Sequence, residues 1–320
     1  MNGSIARILV LGTLVVLTVS VTCAQKKVDP NKYAVIISGP GGEAVYAKQF
    51  EEWTAQLSSV LSERYGFDAK HITVPRATAE EVKGLFGTLK TQLDANNVLF
   101  LFLIGHGSFD GKESKFNLIG PDLSASEYNT LLSSLPTKRV IVFNMSSASG
   151  EFIKSLAAKG RIVVTATRNG QETNATRFTG FLISALNAND ADTDQDGHTS
   201  VLEAFVYANR LTGDFYKRGG RLATEHALID DNGDGVGHEK VEAGEGLLAR
   251  ATYLDSLSVG EAAATAAAGK LVKERTRLEG EIEQLIARKS NMAEAEYEAT
   301  LERLFIELAK VNRSIKQAGS

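Results

Sequence analysis

Residues 98–104 constrain the fold of this chain more than any other segment, because they read VLFLFLI and contain no polar side chain. A strand with one face in water alternates apolar and polar side chains, whereas a uniformly apolar strand needs cover on both faces. Strands of this kind lie in the centre of parallel sheets that carry helices on either side. The segment therefore predicts an α/β domain with a mainly parallel sheet.

Apolar runs elsewhere in the first half of the chain agree with this prediction. Further strands are predicted at 33–38, 71–74, 139–143 and 161–167. Helical patterns separate them, at about 43–65, 79–93, 151–158 and 177–189. Because strands and helices alternate, we expect a doubly wound α/β domain over residues 33–190.

The N-terminal segment indicates export. Arg7 is followed by an apolar run over residues 8–21 and by small residues ahead of Gln25, which is the pattern of a secretory signal peptide. The run is shorter than the roughly 20 residues that a helix needs to cross a bilayer. We therefore expect removal of residues 1–24 and a periplasmic or extracellular location. A permanent membrane anchor and a lipid anchor on Cys23 are the alternatives.

The composition argues against two classes of protein, those that bind nucleic acid and those held together by disulfide bonds. Lys and Arg number 35 against 39 Asp and Glu, which gives a formal charge of −4, and no basic run is dense enough to follow a phosphate backbone. Nucleic acid is therefore not an expected partner. Cys23 is the one cysteine of the chain, so a disulfide framework is excluded and the exported chain would contain no thiol.

Candidate site residues follow the strands, because ligands of open parallel sheets bind outside the carboxyl ends of the strands. His106 comes directly after the apolar run and lies between two glycines, which would let the backbone of a ligand approach the imidazole, as a general base requires. A structural histidine is the alternative. The next such end, 144–150, is rich in serine, and its plain interpretation is that Ser149 or Gly150 caps the helix that follows.

These two strand ends resemble the motifs of the caspase and legumain clan of cysteine peptidases. In that clan one apolar strand ends in His-Gly and the next in Ala-Cys-x-Ser-Gly. His106 and Gly107 match the first motif, and residues 146–150 (SSASG) match the second, with Ser147 at the position of the cysteine. The resemblance covers about residues 33–190. It implies a caspase-like fold, with His106 as the base and Ser147 in the place of the nucleophile.

Ser147 stands where the clan has its catalytic cysteine, and this difference affects the peptidase activity that we expect. A thiol has a pKa near 8.5 that a neighbouring histidine lowers, whereas a serine hydroxyl needs a base in close hydrogen-bond contact. The resemblance implies that the histidine and nucleophile of this clan do not form such a tight pair. We therefore expect a catalytically inactive, peptidase-like protein that acts in binding or scaffolding, with a peptide or protein ligand in the cleft. The alternatives are an active hydrolase that uses Ser147 with His106 and a purely structural envelope protein.

Residues 192–203 (DTDQDGHTSVLE) match the twelve-residue calcium loop of EF-hand proteins. Helical patterns on both sides supply the helix–loop–helix context. The expected ligands are Asp192, Asp194, Asp196, the backbone carbonyl of His198, Ser200 and Glu203. Such a set of oxygen atoms suits Ca²⁺ better than Mg²⁺, which keeps more of its waters. An Asp-rich helix cap without an ion is the alternative.

A second acidic segment begins like another calcium loop, at Asp230, Asn232 and Asp234. The twelfth residue from Asp230 is Val241, so the closing glutamate is missing. A second calcium site and a plain solvated turn both remain open. Residues 191–245 together form the predicted calcium-binding region.

Residues 246–320 form the predicted helical tail. Heptad spacing marks its last helix, at Tyr297, Leu301, Leu304, Leu308, Val311 and Ile315. A weaker seam precedes it, at Leu271, Leu278, Ile282 and Leu285. The two helices could fold back as a hairpin, extend as a coiled coil that dimerises the chain, or pack on the α/β domain.

Overall fold

The computed structural model describes residues 28–195, 197–241, 246–255, 270–271, 274, 277–278, 281–282, 285, 288–289 and 292–318. The expected signal peptide, with Cys23, and the expected ligand Asp196 lie outside the described residues. Among the helices in the described ranges, none is both long and apolar enough to cross a membrane.

A six-stranded sheet forms the centre of the α/β domain. The strands of the chain are β1 (Lys32–Ser38), β2 (Ile72–Thr73), β3 (Val98–Ile104), β4 (Gly107–Phe109), β5 (Ser114–Phe116), β6 (Leu123–Ser124), β7 (Arg139–Asn144), β8 (Arg161–Thr165) and β9 (Leu228–Asp230). The large sheet has the order β2-β1-β3-β7-β8-β9, and all its neighbours are parallel except β8 and β9. The predicted α/β class with a mainly parallel sheet is therefore confirmed.

The helices with described bounds are α1 (Ala44–Glu63), α2 (Ala79–Gln92), α3 (Ala125–Ser133), α4 (Phe152–Leu156), α5 (Phe178–Asn187), α6 (Val201–Arg218), α7 (Leu247–Arg250) and α8 (Glu294–Ala318), with short 3-10 turns at Ala69–His71 and Asn189–Ala191. Helices α1 to α6 cover the two faces of this sheet. α1, α5 and α6 contribute to one hydrophobic cluster, and α2, α3 and α4 contribute to the other.

Strand β3 shows why its sequence is uniformly apolar. Phe100, Phe102 and Ile104 enter the first cluster, whereas Leu99 and Leu101 enter the second. All of them are buried, because β3 lies between β1 and β7 and helices cover both faces of the sheet. The position of β3 brings its carboxyl end to the middle of one sheet edge.

A small antiparallel sheet, in the order β4-β5-β6, follows His106 directly. Its strands are two or three residues long, and α3 begins immediately after β6. Ser124 caps α3 by a capping box with Glu127. These elements were not predicted, because strands this short carry no recognisable alternation of side chains.

The described parts of the tail form a third hydrophobic cluster. It joins Leu278, Ile282 and Leu285 to Tyr297 and Leu304 of α8. The two seams therefore pack on each other, which is the arrangement expected of a hairpin. The side chain of Ile315 lies outside the described residues, and dimerisation through these helices stays a prediction.

Candidate functional site

The two motif-bearing strand ends meet at one edge of the sheet. β3 and β7 are parallel neighbours, and Leu103 pairs with Asn144 in the ladder. The segments that follow the two strands therefore leave the sheet side by side. Ser147 Oγ lies 3.1 Å from the backbone nitrogen of Gly107 and 3.2 Å from its carbonyl oxygen. The structure thus brings Ser147 directly against the residue that follows His106.

His106 is held in a defined orientation. Its Nε2 lies 3.2 Å from the carbonyl oxygen of Gly41, in the turn between β1 and α1. Because a carbonyl oxygen only accepts hydrogen bonds, this contact calls for a proton on Nε2, and in a neutral ring the lone pair is then on Nδ1. The rings of Tyr46 and Phe50 meet the imidazole edge-on, at centroid distances of 5.1 and 5.2 Å. The ring is therefore held in one orientation.

The hydroxyl of Ser147 is engaged by the main chain. It accepts a hydrogen bond from the Gly107 N–H and can donate to the Gly107 carbonyl. The side chain is 2% exposed. No hydrogen bond joins Ser147 to His106, both of which lie in the described part of the chain. The serine therefore lacks the base contact that activates a hydroxyl nucleophile.

The turn that carries Ser147 is tightly confined. Ala148 has a φ of 52°, a left-handed conformation that is rare for residues other than glycine, and its N–H donates to the Glu172 carbonyl at 2.8 Å. A Cβ at Gly150 would lie 2.3 Å from the carbonyl carbon of Arg168. A Cβ at Gly107 would lie 2.3 Å from the carbonyl oxygen of Ser147. Glycine at both positions is thus required by the close approach of backbone segments.

Buried hydroxyl and amide groups hold this turn in place through hydrogen bonds. Asn144 Oδ1 accepts from the Ser146 hydroxyl at 2.7 Å, and Thr176 donates to the Met145 carbonyl at 2.7 Å. Ser149 Oγ accepts from the N–H of Thr167 at 3.2 Å. The prediction that Ser149 caps the next helix through its side chain is wrong, because its hydroxyl is bonded to Thr167 and α4 has no side-chain cap.

A cluster of charged residues beside the turn was missed from sequence. Glu172 Oε1 accepts from His226 Nδ1 at 2.5 Å, and its Oε2 accepts from the backbone N–H groups of Arg168 and His226 at 2.8 and 3.1 Å. His226 lies 54 residues from Glu172 in the sequence, and only the fold brings the two together. Local spacing carried no signal of this cluster.

Glu225, which precedes His226, binds the N-terminal end of α5. Its carboxylate accepts from the backbone N–H groups of Arg177 and Phe178 at 2.8 and 3.1 Å, and from the Tyr216 hydroxyl at 2.8 Å. Burial raises the pKa of Glu225, and these hydrogen bonds partly oppose the rise. The carboxylate serves the helix terminus, where negative charge is favourable.

The predicted calcium loop lies between α5 and α6, in the helix–loop–helix context that its sequence indicates. One carboxylate oxygen from each of Asp192, Asp194 and Glu203 lies within 4.8 Å of the others. Positive φ values at Gln195 (60°) and Gly197 (83°) turn the backbone around these groups. Asp192 Oδ2 also accepts from the N–H of Gly197 at 2.9 Å. Three of the expected ligands are therefore gathered in one place.

The other two described residues among the expected ligands, His198 and Ser200, lie at the end of the loop next to α6. Ser200 and Glu203 form a capping box on α6, in which Ser200 Oγ donates to Glu203 Oε2 at 2.8 Å. His198 Nδ1 lies 2.6 Å from Oδ2 of the buried Asp255. Ser200 also pairs with Tyr253 in an antiparallel bridge. The loop is thus joined to residues 253–255, near the start of the predicted tail.

The second acidic segment forms a turn stabilised by its own side chains. Asp230 accepts from the N–H groups of Gly233 and Gly235 at 2.8 and 3.0 Å, and Asp234 accepts from Val236 at 2.7 Å. Burial raises the pKa of Asp230, against the effect of these bonds. Asn232 Oδ1 accepts from the N–H of Asp234 at 2.8 Å. These bonds are those of a plain turn, and a second calcium site stays a prediction.

Comparison with known proteins gave structural likenesses only. No protein-family model matches the sequence, and no match was found among the curated proteins. Protein GSU0716 from Geobacter sulfurreducens is 17% identical at a TM-score of 0.43, covering 63% of this chain and 93% of its own. Caspase-1 from Spodoptera frugiperda is 14% identical at a TM-score of 0.42, covering 65% and 88%. The Drosophila initiator caspase Dronc is 11% identical at 0.43, covering 65% and 82%. At these TM-scores the likenesses carry no weight in the inferences below.

Proposed function

We propose that this protein is an exported, calcium-binding relative of the caspase and legumain peptidases that binds peptides or proteins without cleaving them. The observation that carries the proposal is the state of Ser147. Ser147 stands at the position that the resemblance gives to the nucleophile. Its hydroxyl, however, forms hydrogen bonds with both the N–H and the carbonyl group of Gly107.

Two physical reasons favour the absence of catalysis. A serine hydroxyl loses its proton only to a base in hydrogen-bond contact, and the contacts of Ser147 are backbone groups. The Gly107 N–H already donates to the serine oxygen, so it is not free to stabilise the negative charge that develops on a carbonyl under attack. With no cysteine outside residues 1–24, no thiol can replace the serine.

Peptide binding is favoured by the rigidity of the same edge. The imidazole of His106 is held by the Gly41 carbonyl, and the turn around Ala148 is anchored to Glu172. A preformed site avoids much of the ordering cost of association. The edge also lies where ligands of open parallel sheets bind.

Calcium binding is favoured by the charges of the loop. Carboxylate oxygens of Asp192, Asp194 and Glu203 within 4.8 Å of one another repel, and a cation between them removes this cost. The twelve-residue pattern supplies oxygen ligands at each position that Ca²⁺ uses. Exported calcium modules work at roughly 10⁻⁴ to 10⁻³ M, which agrees with export through residues 1–24.

The proposal predicts that the protein does not cleave peptides. Residues 25–320 and a Ser147→Ala variant would be incubated with a diverse peptide library in millimolar calcium, and the products read by mass spectrometry. We expect no products from either protein, because Ser147 has no base. Products from the wild-type chain that disappear in the variant would instead establish the alternative, a serine hydrolase that uses Ser147 and the lone pair of His106 Nδ1.

A further inference from the structure

Residues 252–255, here called the bridging segment, pair with the predicted calcium loop although the two are distant in the sequence. Ser200 of the loop and Tyr253 form an antiparallel bridge. One backbone hydrogen bond flanks this bridge on each side, at 2.8 and 3.0 Å. The loop is therefore held by a segment that lies outside its own helix–loop–helix unit.

A side-chain contact extends this pairing. His198 Nδ1 lies 2.6 Å from Asp255 Oδ2, and the imidazole ring meets the ring of Tyr253 edge-on at a centroid distance of 5.7 Å. The side chain of Asp255 is fully buried, and that of His198 is 13% exposed. A hydrogen bond to a carboxylate is short and strong, so it fixes the imidazole and the stretch of loop that carries it.

The bridging segment is itself fixed to the central sheet. Lys32, at the start of β1, donates from Nζ to the Leu254 carbonyl at 2.7 Å, and both residues are buried. Leu254 also belongs to the hydrophobic cluster that α1, α5 and α6 enter. The bridging segment thus connects the calcium loop to β1, in addition to the connection through α5 and α6.

These contacts fall on two of the expected calcium ligands. His198 would bind the ion through its backbone carbonyl, and Ser200 through its hydroxyl. Of the three gathered acids, Asp192 is half-buried and Asp194 is exposed, whereas Glu203 is buried. The ion would thus join exposed carboxylates to a half of the loop that the bridging segment holds in place. Ligand groups that are already in place bind without the cost of ordering them.

We propose that the bridging segment positions the calcium loop, and that Asp255 raises its calcium affinity by holding His198. The inference rests on the proposed calcium binding and adds a positioning residue outside the twelve-residue loop. Because coupled equilibria are reciprocal, calcium in turn strengthens the pairing of the bridging segment with the loop by the same factor. The ion thereby controls how firmly the start of the helical tail is attached to the α/β domain.

Calcium affinity, measured by isothermal titration calorimetry on residues 25–320, tests the positioning role. Asp255→Ala removes the carboxylate, and His198→Ala removes the imidazole but keeps the backbone carbonyl. Loss of a group that orients a metal ligand typically weakens metal binding by about 10- to 100-fold, and we expect about tenfold for each variant. The double variant should lose no more than either single variant, because both act through one contact.

Asp231→Ala is the matched control. Asp231 is also a buried acid, and its carboxylate accepts from the N–H groups of Gly246 and Ala249 at 2.8 Å, at the start of α7. We expect this variant to unfold at a lower temperature than the wild type and to keep wild-type calcium affinity. Asp255→Asn, which retains an oxygen acceptor for His198, should recover most of the affinity that Asp255→Ala loses.

Hydrogen exchange tests the reciprocal effect on the unaltered chain, so it does not depend on the folding of a variant. The N–H of Leu254 donates to the Thr199 carbonyl across the bridge and reports the pairing directly. We expect saturating calcium to slow its exchange about tenfold, the same factor as the change in affinity. The double variant Asp192→Asn, Asp194→Asn should show no slowing.

The outcomes separate the positioning role from the calcium site itself. Unchanged affinity in Asp255→Ala, or unchanged exchange at Leu254 in a chain that binds calcium, would overturn the positioning role and leave the calcium site intact. An equal loss of affinity in Asp231→Ala would show a general effect of lost stability and would overturn it as well. Absence of calcium binding by the wild-type chain would refute the proposed calcium site, and the positioning role with it.

Discussion

Replacement of Ser147 by cysteine is expected to convert the protein from one without peptidase activity into a peptidase. The γ atom at this position lies 3.1 Å from the backbone nitrogen of Gly107, the residue that follows His106. A thiol ionises near pKa 8.5 and a neighbouring histidine lowers that value, so a thiolate forms without the tight contact that serine requires. General-base and nucleophile activation typically contributes about 100- to 10,000-fold, and we expect Ser147→Cys to exceed the wild type by at least about 100-fold in peptide hydrolysis.

Ser146→Cys is the matched control, because it makes the same chemical change one residue earlier. Ser146 is buried and its hydroxyl is bonded to Asn144, whereas the hydroxyl of Ser147 is bonded to Gly107. The double variant Ser147→Cys, His106→Ala should lose the gained activity. Initial rates would be measured by mass spectrometry with the peptide library, and thermal unfolding would show that all variants fold. A correctly folded Ser147→Cys protein with no turnover would contradict the view that the residue at position 147 accounts for the missing activity.

Calcium is expected to stabilise the folded protein. For a dissociation constant of about 10⁻⁴ to 10⁻³ M, a calcium concentration of about 10 mM adds about 1.4 to 2.7 kcal/mol to the free energy of unfolding by mass action. For a chain of this size such a gain raises the melting temperature by roughly 2 to 5 °C. Differential scanning calorimetry with calcium and with a chelator measures the difference.

The loop variants separate calcium binding from loop structure. In Asp192→Asn, Asp194→Asn the charge is removed, while an amide oxygen can still accept from the Gly197 N–H that Asp192 binds. We expect this double variant to show no calcium shift and, in chelator, to be at least as stable as the wild type, because the repulsion among the carboxylates is relieved. Asp190→Asn, an exposed acid just outside the loop, should keep the full shift. A shift of wild-type size in the double variant would contradict the site.

The central sheet could be predicted because its signal is local. The run at 98–104 is apolar at every position, and both hydrophobic clusters of the sheet contain alternate residues from it. Strand β9 was missed, because it is three residues long and leads into the acidic turn at Asp230. Its antiparallel pairing with β8 depends on tertiary placement that no short pattern carries.

Part of the candidate site could also be predicted, because it depends on the local sequence patterns of the strands. His106 and Ser147 follow strands that are neighbours in the sheet, so their proximity follows from the strand assignment. The turn of Gly41 that orients His106, and the contact of Glu172 with His226, join segments that are distant in the sequence. Such pairs depend on how the loops pack. The direct engagement of the Ser147 hydroxyl by Gly107 likewise depends on atomic positions rather than on residue type.

Labelling with a fluorophosphonate tests the central claim, that Ser147 is not an activated nucleophile, without requiring a known substrate. Such reagents phosphonylate serine hydroxyls that a neighbouring base has activated. Residues 25–320 would be treated in calcium, and intact mass followed by peptide mapping would report the modified position. We expect no adduct at Ser147, because its hydroxyl is bonded to the main chain of Gly107 and not to His106. An adduct at Ser147 that is lost in His106→Ala would contradict this claim and make the protein an active serine hydrolase.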